Sequence, residues 1–130
     1  MTSDEEKIKI EIGRSLQALD DALYNLNDNR QLTAVNRLYY AVFYIVVAYF
    51  ISKRIPVKSH KGINIKLHNE LVKTGIIKIK DGETFDHLFK LRSDSDYGDF
   101  TVYDPDELKE LYNEAKDFIQ KIESLITINE

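Results

Sequence analysis

Along most of the chain, apolar residues recur at steps of three and four, the spacing of one helical face, and charged or turn-forming clusters interrupt them. One stretch departs from that pattern. From Leu38 to Ile51 (LYYAVFYIVVAYFI) fourteen residues pass without a charge, a glycine or a proline. A helix that is apolar all round cannot lie on a surface, so this run is either the centre of a folded core or a membrane segment. A bilayer span takes roughly 20 apolar residues, and Asn36, Arg37, Lys53 and Arg54 close this run on both sides. It is therefore expected to be the central helix of a soluble bundle with no membrane partner. Its tyrosines, Tyr39, Tyr40, Tyr44 and Tyr49, carry hydroxyls that need polar neighbours once buried.

The flanking patterns predict the remaining elements. Ile8, Ile12, Leu16, Leu19, Leu23 and Leu26 form one stripe, begun by a Ser3-Asp4-Glu5-Glu6 capping box and ended at Asn27-Asp28-Asn29. Lys7, Glu11, Arg14 and Asp20 on this helix read as solubilising charges. Thr33 is the expected cap of the central helix and Pro56 its terminator. Ser59 caps a third helix, His60 to about Lys73, with Ile63, Leu67 and Leu71 inward and Gly75 as its stop. The alternation Ile77-Lys78-Ile79-Lys80 before Asp81-Gly82 suggests a short extended piece and a turn. A fourth helix is predicted from near Thr84 through Arg92 towards Gly98, with Phe85, Leu88 and Phe89 inward. The fifth starts at Asp104-Pro105-Asp106-Glu107, with Leu108, Leu111, Ala115, Phe118, Ile122 and Leu125 as its inner stripe. Together these predict an all-α, up-and-down bundle of about five helices, a single domain over residues 1–130.

Composition narrows the chemistry. The chain has no cysteine, which removes disulfides, thiolate nucleophiles and sulfur-based zinc sites. The acidic start MTSDEEKIKI is unlike an export signal, so a cytoplasmic location is expected. A formal net charge of −4 hides an uneven distribution: residues 53–80 hold eight Lys/Arg and one Asp/Glu, whereas residues 81–130 hold five and fourteen. Such asymmetry marks either a phosphate-binding face beside an acidic one, or two solvated faces that attract each other within the fold or across a dimer.

The densest polar cluster is RSDSDYGDF, Arg92 to Phe100. Arg92, Ser95 and Asp96 stand at i, i+3 and i+4, so guanidinium and carboxylate can pair along one face, and Gly98 lets Asp99 project elsewhere. Arg37, one turn into the buried helix, either finds an acidic or phosphate partner or lies exposed at the helix end. His60 and His68 are about 12 Å apart along a helix, too far to share one metal. Asp94, Asp96 and Asp99 lack the glycine and distal glutamate of a calcium loop. No metal and no cofactor is expected.

Asn36-Arg37-Leu38-Tyr39-Tyr40-Ala41-Val42-Phe43, then His60 and Gly62, then Arg92 with Asp96-Tyr97, resembles the small bacterial and archaeal HEPN-domain proteins, more narrowly a subgroup with an Arg-x-Tyr-Tyr-Ala signature. The resemblance implies a helical bundle that forms a homodimer, with the end of the fourth helix facing a cleft between protomers. In the family's ribonucleases, an arginine followed after four to six residues by a histidine cuts RNA without metal. The arginine stabilises charge on the phosphate and the histidine moves the proton. Here Arg92 matches the arginine, but the residue after four intervening positions is Tyr97, a poor base at neutral pH. His60 or His87 could replace it only where the fold brings one close, and His87 lies about 140° around the helix from Arg92.

The expected function is thus a weakly catalytic or non-catalytic module that binds nucleotide or RNA phosphate through Arg37, His60, Lys61, Arg92, Asp96 and Tyr97. The resemblance implies a nucleotidyltransferase partner in a toxin–antitoxin-like system. Two alternatives stand beside it: a metal-independent ribonuclease with Arg92 and Tyr97 as catalytic residues, and a structural dimer or partner-docking bundle without ligand.

Overall fold

The computed structural model describes residues 3–96 and 103–126, and the side chains of Ser95 and Asp96 lie outside that description. Helices begin where a side chain can satisfy an amide that has no partner within the helix. Ser3 accepts from the Glu6 amide at 3.1 Å and opens α1 (Asp4–Asn27). Ser59 accepts from the Gly62 amide at 2.9 Å and opens α3 (His60–Leu67), and Asp104 accepts from the Asp106 amide at 2.9 Å and opens α5 (Pro105–Leu125), with Pro105 in its first turn. All three caps are those expected from the sequence. Between these lie α2 (Gln31–Ser52) and α4 (Ile79–Asp96), and the described elements are helical throughout.

Three local expectations are corrected. The central helix begins at Gln31, not at Thr33: Asn29 takes a left-handed φ of 58°, which turns the chain so sharply that α2 starts two residues later without a side-chain cap. The extended piece and turn around Ile77–Gly82 are the entry to α4. Ile77 is buried with its amide donating to the Leu71 carbonyl at 3.1 Å, whereas the carboxylate of Asp81 accepts from the Lys78 amide at 2.9 Å and from Lys121 at 2.7 Å. Gly82 serves a close approach rather than a turn, since a Cβ there would lie 2.9 Å from both His68 and Val72. Between α3 and α4 the chain widens into a single looser turn, His68–Val72, closed by Lys73 N donating to His68 O.

The stripe on α1 is rotated from its expected position. Leu16 is 46% exposed and Leu23 38%, while Ser15, Ala18 and Ala22 are buried. Small residues let α1 lie close against α2, and the Ser15 hydroxyl satisfies its buried oxygen by donating to the Ala41 carbonyl at 2.6 Å. The helix turns towards those small residues and carries Leu16 and Leu23 to the flank, while Ile8 and Leu19 of the expected stripe stay buried.

α2 is the axis of the bundle. By length and composition alone it could cross a membrane, but most of it is enclosed by the other helices. Leu38, Ala41, Val42, Ile45, Val46, Ala48 and Phe50 are fully buried. The inner residues of α3, α4 and α5 meet them: Ile63, Leu67, Phe85, Leu88, Leu111, Ala115, Phe118 and Ile122. One seam of α2 stays only half covered, through Arg37, Tyr40, Phe43, Tyr44 and Val47, which recur at the helical repeat. That seam carries the site.

Candidate functional site

Two adjacent tyrosines on α2 organise the cluster. Successive residues on a helix point about 100° apart, so Tyr39 faces the interior and is fully buried while Tyr40 lies half-buried on the seam. The Tyr39 hydroxyl is 2.7 Å from Nδ1 of His60, the first residue of α3. The Tyr40 hydroxyl accepts from Nη2 of Arg92 on α4 at 3.3 Å. The Arg92 guanidinium lies 5.5 Å from the Tyr39 ring centroid and 5.6 Å from that of Tyr40. Arg37, one turn before Tyr40, sits 5.2 Å from the same Tyr40 ring, its guanidinium aimed by two hydrogen bonds to the Asn36 side chain at 2.7 and 3.0 Å. Three helices thus deliver two arginines and a histidine to one tyrosine pair.

The protonation states follow from these contacts. Burial raises the Tyr39 pKa well above its ordinary value, against a smaller opposing pull from Arg92, so the hydroxyl keeps its proton. Burial, and secondarily the positive charge of Arg92, lower the His60 pKa, so the imidazole is neutral at pH 7. A protonated tyrosine hydroxyl needs an acceptor, and Nδ1 of His60 is at hydrogen-bond distance. With its hydroxyl protonated and buried, Tyr39 is assigned as the donor to Nδ1, which puts the ring proton of His60 on Nε2. Phe43, one turn along α2, stacks on the imidazole at 4.3 Å and 15° and fixes the plane of the ring.

Of the residues expected from the sequence, Arg37, Arg92 and His60 converge. Lys61 follows His60 in the first turn of α3 and is exposed. The Asp96 side chain and all of Tyr97 lie outside the described residues, as does part of the Asp94, Asp96, Asp99 trio. His87 is exposed and lines a separate groove with Lys80, Glu83, Thr84 and Glu114. His68 is likewise engaged elsewhere, with Nε2 3.0 Å from the Asp86 carboxylate. Among the described residues no group of three or more metal-ligating side chains is gathered. The parts that sequence reasoning did not assign to the site are Tyr39, Tyr40 and Phe43; for the two tyrosines the signal was there in hydroxyls that needed partners inside an apolar run. Glu11 and Arg14 are also more than solubilising charges. They pair at 2.7 Å, and the Glu11 side chain is only 14% exposed.

The comparisons with known proteins agree with this architecture. The HEPN domain profile matches residues 9–125. A UPF0332 protein of Thermotoga maritima is 33% identical over 126 residues, 97% of this chain and 96% of that protein. A protein named "Putative toxin MJ0142" from Methanocaldococcus jannaschii is 28% identical over 116 residues, 89% of this chain and 77% of that protein. With a match across nearly the whole bundle and a relative that aligns end to end, the chain belongs to the HEPN domain family.

Proposed function

We propose that this protein is a HEPN module that binds the phosphate of RNA or of a nucleotide, with little or no catalysis of its own. The observation that carries the reading is the convergence of Arg92, Arg37 and the imidazole of His60 on the Tyr39–Tyr40 pair. Each of these groups offers hydrogen-bond donors, and the two guanidiniums are permanently charged, which is what a phosphodiester oxygen requires. Lys61 extends the positive field at the edge, and Asp96 and Tyr97, at the end of α4 and just after it, complete the proposed set. Assembly as a homodimer, a nucleotidyltransferase partner, a toxin–antitoxin-like role and a cytoplasmic location belong to the same proposal. The toxin name of the archaeal relative supports its direction.

A metal-independent ribonuclease is the second reading, favoured by one specific observation. His60 and Arg92 meet at the Tyr39–Tyr40 pair, where His60 could stand in for the histidine that the motif lacks at Tyr97. To act as a base towards a 2′-hydroxyl, however, the imidazole needs a lone pair facing the ligand. Its Nδ1 is occupied by Tyr39 and its Nε2 carries the proton, so His60 is set up as a donor. That ranks binding above cleavage.

The test is binding and cleavage of a labelled single-stranded RNA, with EDTA present, at two salt concentrations. Wild type is expected to bind without cutting, more weakly at the higher salt, and Arg92→Ala to bind less. Chelator-resistant cleavage that is lost in Arg92→Ala would establish the ribonuclease reading. Absence of any binding would leave a structural or partner-docking bundle.

A further inference from the structure

The phosphate reading leaves one adjoining feature unused. Beside His60, an open cleft of about 330 Å³ runs between α1, α2 and the start of α3. Its apolar wall is Phe43, Tyr44, Val47 and Ile63, and its polar edge is Glu11 and Arg14. The volume falls at the lower end of the ~300–1,000 Å³ typical of small-molecule sites. Tyr44 is half-buried, with the Arg14 guanidinium 6.0 Å from its ring centroid. Lys58 and Ser59 stand at the mouth, beside His60.

We propose that this cleft is a nucleobase seat, holding a base of the same single-stranded RNA whose phosphate lies at Arg92 and Arg37; the inference rests on the phosphate-binding reading. Three features select this occupant. The cleft and the arginine cluster share His60, so a chain whose phosphate lies at Arg92 and Arg37 brings its neighbouring base to the cleft mouth. Aromatic and aliphatic side chains beside cationic ones are the chemistry on which bases stack while the backbone is neutralised. Glu11, mostly withdrawn from solvent and paired with Arg14, sets an acceptor and a donor side by side at the polar edge, as the hydrogen-bonding rim of a base requires. A bare phosphate-binding surface would need none of the three.

The experiment compares a fluorescein-labelled hexa-adenylate with an abasic ribose-phosphate hexamer of equal length, on the intact protein. Wild type is expected to bind the adenylate about tenfold more tightly, the contribution of one stacked base. Tyr44→Ala and the cleft-filling Val47→Trp should bring the two affinities together while leaving the abasic affinity in place. Arg92→Ala should weaken both probes. Equal binding of the two probes by wild type overturns the seat without touching the phosphate site, and needs no variant to fold. Variants that keep the native far-UV circular dichroism and the tenfold preference also overturn it. Failure of wild type to bind either probe removes the phosphate reading and the seat with it.

Discussion

The two sides of α2 make an instructive pair, because one uninterrupted apolar run supplies both. On the closed side, Leu38, Ala41, Val42, Ile45 and Ala48 are fully buried, and their neighbours on α1 include small residues that let the two helices approach closely. On the open seam, Tyr40, Phe43, Tyr44 and Val47 are half-buried and surrounded by Arg37, Arg92, His60 and Arg14. Neither side carries a charge between Leu38 and Ile51. What separates them is the presence of aromatic faces and hydroxyls, which can be covered by apolar neighbours and still bind cations and donors at their edges. The closed side stabilises the fold, and the open seam gathers chemistry on top of it.

That contrast can be broken from either side. The largest effect belongs to the closed side: Ile45→Ala removes a fully buried side chain and should lower the unfolding free energy by about 2–5 kcal/mol in chemical denaturation. RNA affinity measured where the variant remains folded should stay within about twofold of wild type. On the open seam the expectation reverses. Arg92→Ala should weaken RNA binding by about 10- to 100-fold, the worth of a charge-assisted hydrogen bond of ~1.5–3 kcal/mol, and a filter-binding or anisotropy titration reads it directly.

Tyr39→Phe sharpens the comparison, because Tyr39 belongs to both sides: its ring is core and its hydroxyl holds His60. The variant keeps the packing and loses one hydrogen bond, for about 1 kcal/mol of stability. The diagnostic readout is the nitrogen NMR spectrum of His60, in which the Nε2–H tautomer should give way to a mixture. A variant that keeps a single Nε2–H tautomer would show that Tyr39 does not set it.

The smallest effect is a pH dependence. The folded state lowers the His60 pKa, so below the unfolded value of about 6.5 the unfolded chain takes up the proton first. The contribution of neutral His60 to stability is therefore complete above that pH and is lost as pH falls through the lower folded value. Denaturation of wild type and His60→Gln across that range should converge as the solution is acidified.

The legible parts of this protein were those governed by local chemistry. The caps at Ser3, Ser59 and Asp104 were readable because a side chain two or three residues from an orphan amide satisfies it whatever the rest of the chain does. The centrality of Leu38–Ile51 was readable because such a run has only one place to go in a folded bundle. The misread positions were those where a neighbour in space outranked the local signal. Leu16 and Leu23 fit the stripe, but the fit of Ser15, Ala18 and Ala22 against α2 turned them outward. Asp81-Gly82 looks like a turn, yet Gly82 is there because His68 and Val72 press against it from another helix.

By itself, then, the sequence determined a five-helix bundle and its central element, and it singled out Arg37, His60 and Arg92, the residues of the proposed phosphate site. Periodicity and capping act over a few residues and are written directly in the chain. The tertiary structure alone decided that His60, rather than His87, joins Arg92, although His87 is nearer to it in sequence. Five residues along a helix turn His87 to another face, whereas a tyrosine pair on α2 bridges the 32-residue separation of His60 and Arg92. That pairing depends on where three helices cross, and a crossing is fixed by the fit of whole faces, which no single residue or spacing records.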